Sequence, residues 1–340
     1  MEWFGYFILA FLFSSFLSFL LSSVAGRKSN NNFFYRLGGL AISASFVLTV
    51  LIATEVVLTE KILSILIASV LLVFFGMGDD KFNFSWKIQL VFQLLLGFLL
   101  IWFGFEIKLI SFSGYEILRL DSLQWEFFGQ VISVISAFFV LVWLISIMNA
   151  INWLDGTDGL LSITALLALL AIFFVSLRPE VDQPALGILA LAGAGSVLGF
   201  FIFNFPPAKI IAGTSGSYFV GMLLAGLAII AGTKIATTMI ILILPVVDFV
   251  WVSLERVRKG KSIFQKEEKK THLHYKLLNL GWSEKKILVA YFCFLGFALL
   301  VSLFVVNQFH KLFLLGLEFL MIFIFIFSLT RLNEKKDKQN

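Results

Sequence analysis

Long apolar runs separated by short polar stretches fill the chain from end to end. A membrane-spanning helix needs about 20 predominantly apolar residues. Eleven runs approach that length, at about 3–23, 40–59, 62–77, 88–106, 129–148, 160–177, 185–203, 217–232, 235–253, 287–306 and 312–330. The pattern predicts an all-α polytopic membrane protein of about eleven transmembrane helices. It forms a single integral-membrane domain over 1–330, followed by a polar tail at 331–340. The first run lacks a basic start and a small-residue cleavage site, so it reads as a helix rather than a signal peptide. Between the fourth and fifth runs, KLISFSGYEILRLDSLQWEFFG (107–128) alternates apolar and polar residues over a few positions. That stretch fits a short hairpin or an amphipathic piece at the membrane interface.

Lys and Arg are distributed unevenly between the two sets of loops. Twenty fall in 24–39, 78–87, 149–159, 204–216, 254–286 and the tail, and six on the other side. The positive-inside bias then puts the first set in the cytoplasm, with the N-terminus outside and the C-terminus cytoplasmic. Composition supports the membrane reading. Of 340 residues, 60% are hydrophobic and 14% charged, with 41 Phe. Soluble domains are about 45–50% apolar and about 25% charged, so a soluble enzyme and a disordered chain are both excluded. The net charge of +5 reflects topology rather than a nucleic-acid partner, with a supplementary role in holding anionic membrane lipids. One cysteine, Cys293, excludes an intrachain disulfide and a cysteine metal cluster, and its apolar run makes it a packing residue.

Nearly all the informative polar residues lie on the cytoplasmic side. Asp79 and Asp80 end an apolar helix in GMGDD. Adjacent carboxylates repel unless a cation or basic partner is near. They are either a solvated helix end neutralised by Lys81 and Lys87 or a functional pair. NAINWLDGTDGL (149–160) sets Asn149, Asn152, Asp155 and Asp158 at intervals of three, on one face if the segment is helical. Such oxygen donors suit a cation, a sugar or a base. In NFPPAKIIAGTSGSYFVG (204–221), prolines break one helix and a Gly/Ser turn opens another, whose N-terminus offers N–H groups to an anion. THLHYKL carries His272 and His274, whose spacing is wrong for a helical zinc pair. They can meet phosphate, transfer a proton or anchor the loop. Asp248, inside an apolar helix, is a functional candidate or a carboxylate reaching a loop group.

Taken in order, these motifs resemble the polyprenyl-phosphate N-acetylhexosamine-1-phosphate transferases (glycosyltransferase family 4). That family includes the phospho-N-acetylmuramoyl-pentapeptide and undecaprenyl-phosphate N-acetylglucosaminyl-phosphate transferases. RKSNNNFFYRLGGLAI (27–42) is similar to RKxH…PRxGGLAI, and GMGDD to the paired-aspartate motif. NAINWLDGTDGL resembles NAxNxxDGxDGL, the most specific match. GFFIFNFPPAKIIAGTSGSYFVG (199–221) resembles GFLxxNxPPAKIFMGDxGSxFLG, and HLHYKLLNLG (272–281) resembles HLHHxLLxLG. The eleven runs look more like the N-acetylglucosaminyl branch than the ten-helix branch.

The resemblance implies transfer of a sugar-1-phosphate from a UDP-N-acetylhexosamine to a polyprenyl phosphate, with release of UMP and a requirement for Mg²⁺. This would be a first membrane step of cell-envelope polysaccharide synthesis in a bacterial inner membrane. Asp79, Asp80, His272 and His274 would be catalytic. Asn149, Asn152, Asp155, Asp158, Asn204, Arg27, Lys28, Arg36, Lys87, Ser215 and Gly216 would bind substrate, and Asn152 and Asp155 the metal. A homodimer is compatible with the sequence.

The chain departs from the family pattern at several positions. Thr214 replaces the metal-binding Asp, Asn30 and Tyr275 replace histidines, Ile263 a proline and Lys269 an Asp, and two extra residues precede His272. A hydroxyl cannot supply the charge of a carboxylate, so Asp155 or Asp158 would have to compensate. The alternative is a catalytically impaired homologue that binds nucleotide-sugar or polyprenyl phosphate without turnover. A transporter fits less well, because it would place ionisable groups near the bilayer midplane, and here they crowd at one face.

Overall fold

The structure is a computed structural model that describes residues 3–25, 33–112, 115–127, 129–179, 181–232, 235–263, 271–305 and 308–339. Eleven apolar helices among the described residues overlap the eleven predicted runs. They are α1 (Trp3–Ala25), α2 (Gly38–Ile52), α3 (Glu60–Phe82), α4 (Trp86–Trp102), α5 (Val134–Leu154), α6 (Leu160–Ser176), α7 (Pro184–Asn204), α8 (Gly213–Ile230), α9 (Ile235–Arg258), α11 (Glu284–Phe304) and α12 (Gln308–Gln339). A short α10 (Leu273–Asn279) precedes α11. Eight of these, α1, α3, α5, α7, α8, α9, α11 and α12, are long and apolar enough to cross a membrane; α2, α4 and α6 are apolar but shorter. Among the described residues the regular structure is helical apart from two small two-stranded sheets, consistent with an all-α membrane protein.

Local chemistry sets the helix ends. Thr59, Ser85, Ser133 and Ser283 each accept a bond from a backbone N–H of the first turn of α3, α4, α5 and α11. Pro184 opens α7, where its missing N–H costs nothing. Several predicted boundaries move. The run at 40–59 is helical only to Ile52, because Ala53 turns extended and Thr59 starts the next helix. The run at 129–148 begins at Val134 and extends to Leu154, since Gln130–Ser133 pairs as a strand. Helix α12 continues over positions predicted as a tail, through Gln339. Segment 107–128 holds one antiparallel strand pair, β1 (Leu109–Phe112) with β2 (Tyr115–Arg119), and the first strand of another, β3 (Gln124–Phe127), whose partner β4 (Gln130–Ser133) lies just beyond it. Cys293, expected in the packing, lies on the exposed surface of α11.

Helix α8 is the centre of the bundle and is almost wholly buried, whereas α1 and α12 lie at its edge. Helices α2, α3 and α5 pack around α8, and α1 lies along α7. Lipid tails are as apolar as leucine, so close backbone approach, rather than water exclusion, joins helices here. A Cβ at Gly76 of α3 would collide with the Ser215 backbone of α8. Gly195 and Gly199, a small-xxx-small pair on α7, let the Phe7 and Phe11 carbonyls of α1 come into contact, and Ser14 Oγ donates to Ser196 O at 2.5 Å. Overpacking such a contact costs about 1–3 kcal/mol. Gly199→Leu is therefore expected to lower the melting temperature in detergent. Gly296→Leu, with open space around it, leaves it unchanged. Equal melting of the two variants would contradict the α1–α7 contact.

Candidate active site

The first turn of α8 collects three carboxylates. Helix N-termini carry unpaired N–H groups and the positive end of the helix dipole, so they hold anions. Asp155, the C-cap of α5, accepts from Gly213 N at 2.8 Å and Ala212 N at 3.3 Å. Asp80 accepts from Thr214 N at 3.0 Å and from Arg36 Nε at 2.6 Å. Asp79 accepts from Thr214 Oγ1 at 2.7 Å and from Gln89 Nε2 at 2.8 Å. Gly213 has φ +67°, and a Cβ there would strike the Asp80 carboxylate. Only glycine lets α3 and the α5–α6 turn both reach this helix end. Asp79 and Asp80 lie within the last turn of α3, and neither is a solvated helix end. Asp79 is 4% exposed and the Asp80 side chain is fully covered.

The second layer is polar and ordered. Tyr218 OH donates to Gln89 Oε1 at 3.2 Å, Ser217 Oγ to Asn152 Oδ1 at 2.6 Å, and Asn149 Nδ2 to Gln93 Oε1 at 2.8 Å. Gln89 and Gln93 were missed in the sequence. Their signal was a polar i, i+4 pair in the apolar α4, where buried polar groups need partners.

Charge is the dominant feature of this cluster. Three aspartates face one guanidinium, Arg36. Burial, reinforced by the charge of Asp80, pushes the Asp155 carboxyl up to about 7, against the pull of Arg36 and two N–H bonds. Among the described residues no three acidic, His or Cys side chains form a ready-made metal cage. A cation here would take Asp80 and Asp155 as ligands and complete its shell with substrate oxygens, as Mg²⁺ commonly does.

Helix α10 closes the site from the other side. Asp248 of α9 accepts from Leu273 N at 2.7 Å and sits 3.1 Å from His272 Nδ1, so it caps α10 and orients that imidazole. The His272 ring lies 4.7 Å from that of Trp153, and the Arg256 guanidinium sits over the Trp153 ring. His274 stacks parallel to His272 at 5.7 Å. Its two ring nitrogens have no partner among the described residues, and burial drives its pKa down to about 3, so it is neutral. Tyr275 OH donates to Gly156 O at 3.0 Å. The HLHY and NAINWLDGTDGL motifs thus meet through Trp153–His272 and Gly156–Tyr275.

Other predicted residues are placed elsewhere. Asp158 accepts from Ala208 N at 2.8 Å, and Asn204 bonds Gly159 N, Ser162 Oγ and Ile210 O, each at 3.0 Å. Both pin the loops around the site. Asn149 and Asn152 are helical, but α5 ends at Leu154, so Asp155 and Asp158 do not continue their face. Ser215 and Gly216 lie inside the α2–α3–α8 crossing, where Ser215 is fully buried. Lys87 is exposed beside an apolar groove of about 370 Å³ formed with Phe75, Ile88, Val91, Phe92 and Leu95. Arg27, Lys28, Asn30 and Lys269 lie outside the described residues.

The sequence model described as glycosyl transferase family 4 matches residues 62–232, which hold the carboxylate cluster and all of α8. The chain belongs to that family. A probable undecaprenyl-phosphate N-acetylglucosaminyl 1-phosphate transferase of Bacillus subtilis is 28% identical over 84% of this chain and 76% of its own length. A decaprenyl-phosphate N-acetylglucosaminephosphotransferase of Mycobacterium leprae is 30% identical over 37% of this chain and only 36% of its own length. A phospho-N-acetylmuramoyl-pentapeptide-transferase of Bacillus cytotoxicus is 31% identical over 35% of this chain and 36% of its own. The chain therefore aligns with about a third of two of these three relatives. The names of these relatives describe transferases of a phosphosugar to a polyprenyl phosphate or of phospho-N-acetylmuramoyl-pentapeptide.

Proposed function

We propose that the chain transfers an N-acetylhexosamine-1-phosphate from a UDP-sugar to a polyprenyl phosphate, undecaprenyl phosphate in a bacterial inner membrane, and releases UMP. In this reading all eleven apolar helices span, the N-terminus is outside, and the carboxylate cluster opens to the cytoplasm. The observation that carries it is the convergence of Asp79, Asp80 and Asp155 with Arg36 on the first turn of α8. Phosphoryl transfer needs positioning and charge neutralisation more than covalent help from the protein. Asp79, held by Gln89 and Thr214, takes the proton from the acceptor phosphate, which then displaces UMP from the sugar-bearing phosphorus; alternatively its carboxylate displaces UMP from that phosphorus and the acceptor phosphate then displaces the carboxylate. Arg36 holds Asp80 in place and offsets part of the charge. His272, fixed by Asp248, meets the donor phosphates, and neutral His274 lies behind it. Asp80 and Asp155, with Asn152 alongside, would hold Mg²⁺, which supplies positive charge to phosphate oxygens.

One observation favours a second reading. Thr214, where the family has an aspartate, donates its hydroxyl to Asp79, which ties up an oxygen the reaction needs. A binding-only homologue would look like this. The deciding measurement is UMP release by purified protein given undecaprenyl phosphate and a panel of UDP-N-acetylhexosamines, with and without Mg²⁺. The transferase reading expects lipid-dependent UMP from one donor, abolished in a folded Asp79→Asn variant. No UMP from any donor supports the binding-only homologue. In that case Thr214→Asp is expected to restore Mg²⁺-dependent turnover.

Proton and cation compete for Asp155. Below a pKa of about 7 the carboxyl is protonated and must lose its proton to bind metal. The Mg²⁺ concentration for half-maximal activity should rise as pH falls below about 7, by up to about tenfold per unit, and level off above it. A requirement independent of pH between about 6 and 8 would remove Asp155 from the metal site.

A further inference from the structure

A second polar feature lies away from the carboxylate cluster. Helices α9 and α12 run parallel and both emerge from apolar stretches at their C-terminal ends. There they enclose a groove of about 350 Å³. Its floor is aromatic, with Trp251 meeting Phe323 at 5.0 Å and Phe327 at 6.1 Å, edge to face. Its rim carries Arg258, Lys259 and Arg331. The acid in it, Glu255, is committed to Lys259 at 2.8 Å and to Lys276 at 3.8 Å. Arg258 and Arg331 are exposed and have no carboxylate partner among the described residues, and Arg331 lies 5.2 Å over the Phe327 ring. Exposed Leu320, Ile324 and Phe327 of α12 carry an apolar track from the groove toward the membrane interior.

We propose that this groove holds one phospholipid with an anionic headgroup. The occupant follows from charge and from depth. A cationic rim over an aromatic floor, at the level where a helix pair leaves the hydrocarbon, fits a phosphate, and the continuous apolar track fits acyl chains. A soluble anion would leave the track uncovered, and a zwitterionic lipid would bring an ammonium against the two arginines. The groove also touches the working end of the molecule. Lys276 lies over the Trp251 ring at 5.2 Å, and Asn333 Nδ2 of α12 donates to Lys276 O at 3.3 Å. A lipid seated between α9 and α12 therefore steadies α10, which carries His272 and His274.

The test is lipid retention by the full chain in detergent, read by native mass spectrometry after adding dioleoyl phosphatidylglycerol or dioleoyl phosphatidylcholine. Wild type is expected to keep one phosphatidylglycerol and no phosphatidylcholine. Arg258→Ala with Arg331→Ala should cut retention about tenfold or more, at about fivefold per basic residue. Arg258→Lys with Arg331→Lys should keep most of it, which guards against a folding artefact. Lys285→Ala with Lys286→Ala removes two inner-face charges elsewhere and should change nothing. Equal retention of the two lipids, undiminished retention in the double alanine variant, or equal loss in the lysine-pair control would each overturn the site.

Discussion

The first turn of α8 is the constraint on which the rest depends. Its free N–H groups must be satisfied, and they are satisfied by carboxylates from two other helix ends rather than by a local cap. Asp80 brings α3 to this point and Asp155 brings the α5–α6 turn. The same contacts that complete α8 therefore assemble the acidic cluster. Stability and chemistry share one set of bonds, and the cost is three mutually repelling carboxylates in a poorly solvated place. Arg36 offsets one of them. Burial, with the charge of Asp80 added, raises the pKa of Asp155.

Around that point the molecule is built by approach rather than by burial from water. Small residues let α8 sit against α3, and α7 against α1, at distances where backbone atoms touch. Helices positioned this closely have little freedom to slide. The α3 end is thus fixed relative to α8 before any side chain of the cluster is considered. Helix α10 is held differently, by a carboxylate cap from Asp248, by Tyr275 on Gly156 and by Asn333 from α12. Its Leu273 and Leu277 are buried in the hydrophobic core, so polar and apolar contacts together seat α10.

Much of this was legible in the sequence. The eleven helices followed from apolar length, and the acidic residues stood out because carboxylates at a membrane boundary demand partners. Which partners could not be read. Asp155 and Asp158 share a motif and a residue type, yet one faces α8 and the other accepts from Ala208 N in a neighbouring loop. That division is set by where α5 ends, and Leu154 gives no punctuation that marks it. Gln89 and Gln93 were hidden for the opposite reason, since two amides in an apolar run look harmless until α4 is seen to face Asp79 and Asn149. The Gly/Ser turn that opens α8, which includes the Ser215–Gly216 pair, reads as a helix start offered to an anion, and Gly and Ser mark close helix crossings as well. The backbone puts this pair in the crossing.

The departures from the family motif are absorbed into the site's own bonding. Thr214 does not leave a gap where an aspartate would stand; its hydroxyl bonds Asp79 while its N–H bonds Asp80. Tyr275, in the place of a histidine, spans to Gly156, where only a residue without a side chain leaves room for the phenol. A fourth carboxylate at position 214 would add a further negative charge beside Asp79 and Asp80. Replacing it with a hydroxyl donor lowers the repulsion within the cluster and gives Asp79 a hydrogen bond. The exchange at 214 therefore eases the cluster, while the raised pKa of Asp155 has a separate origin, first its burial and then the charge of Asp80.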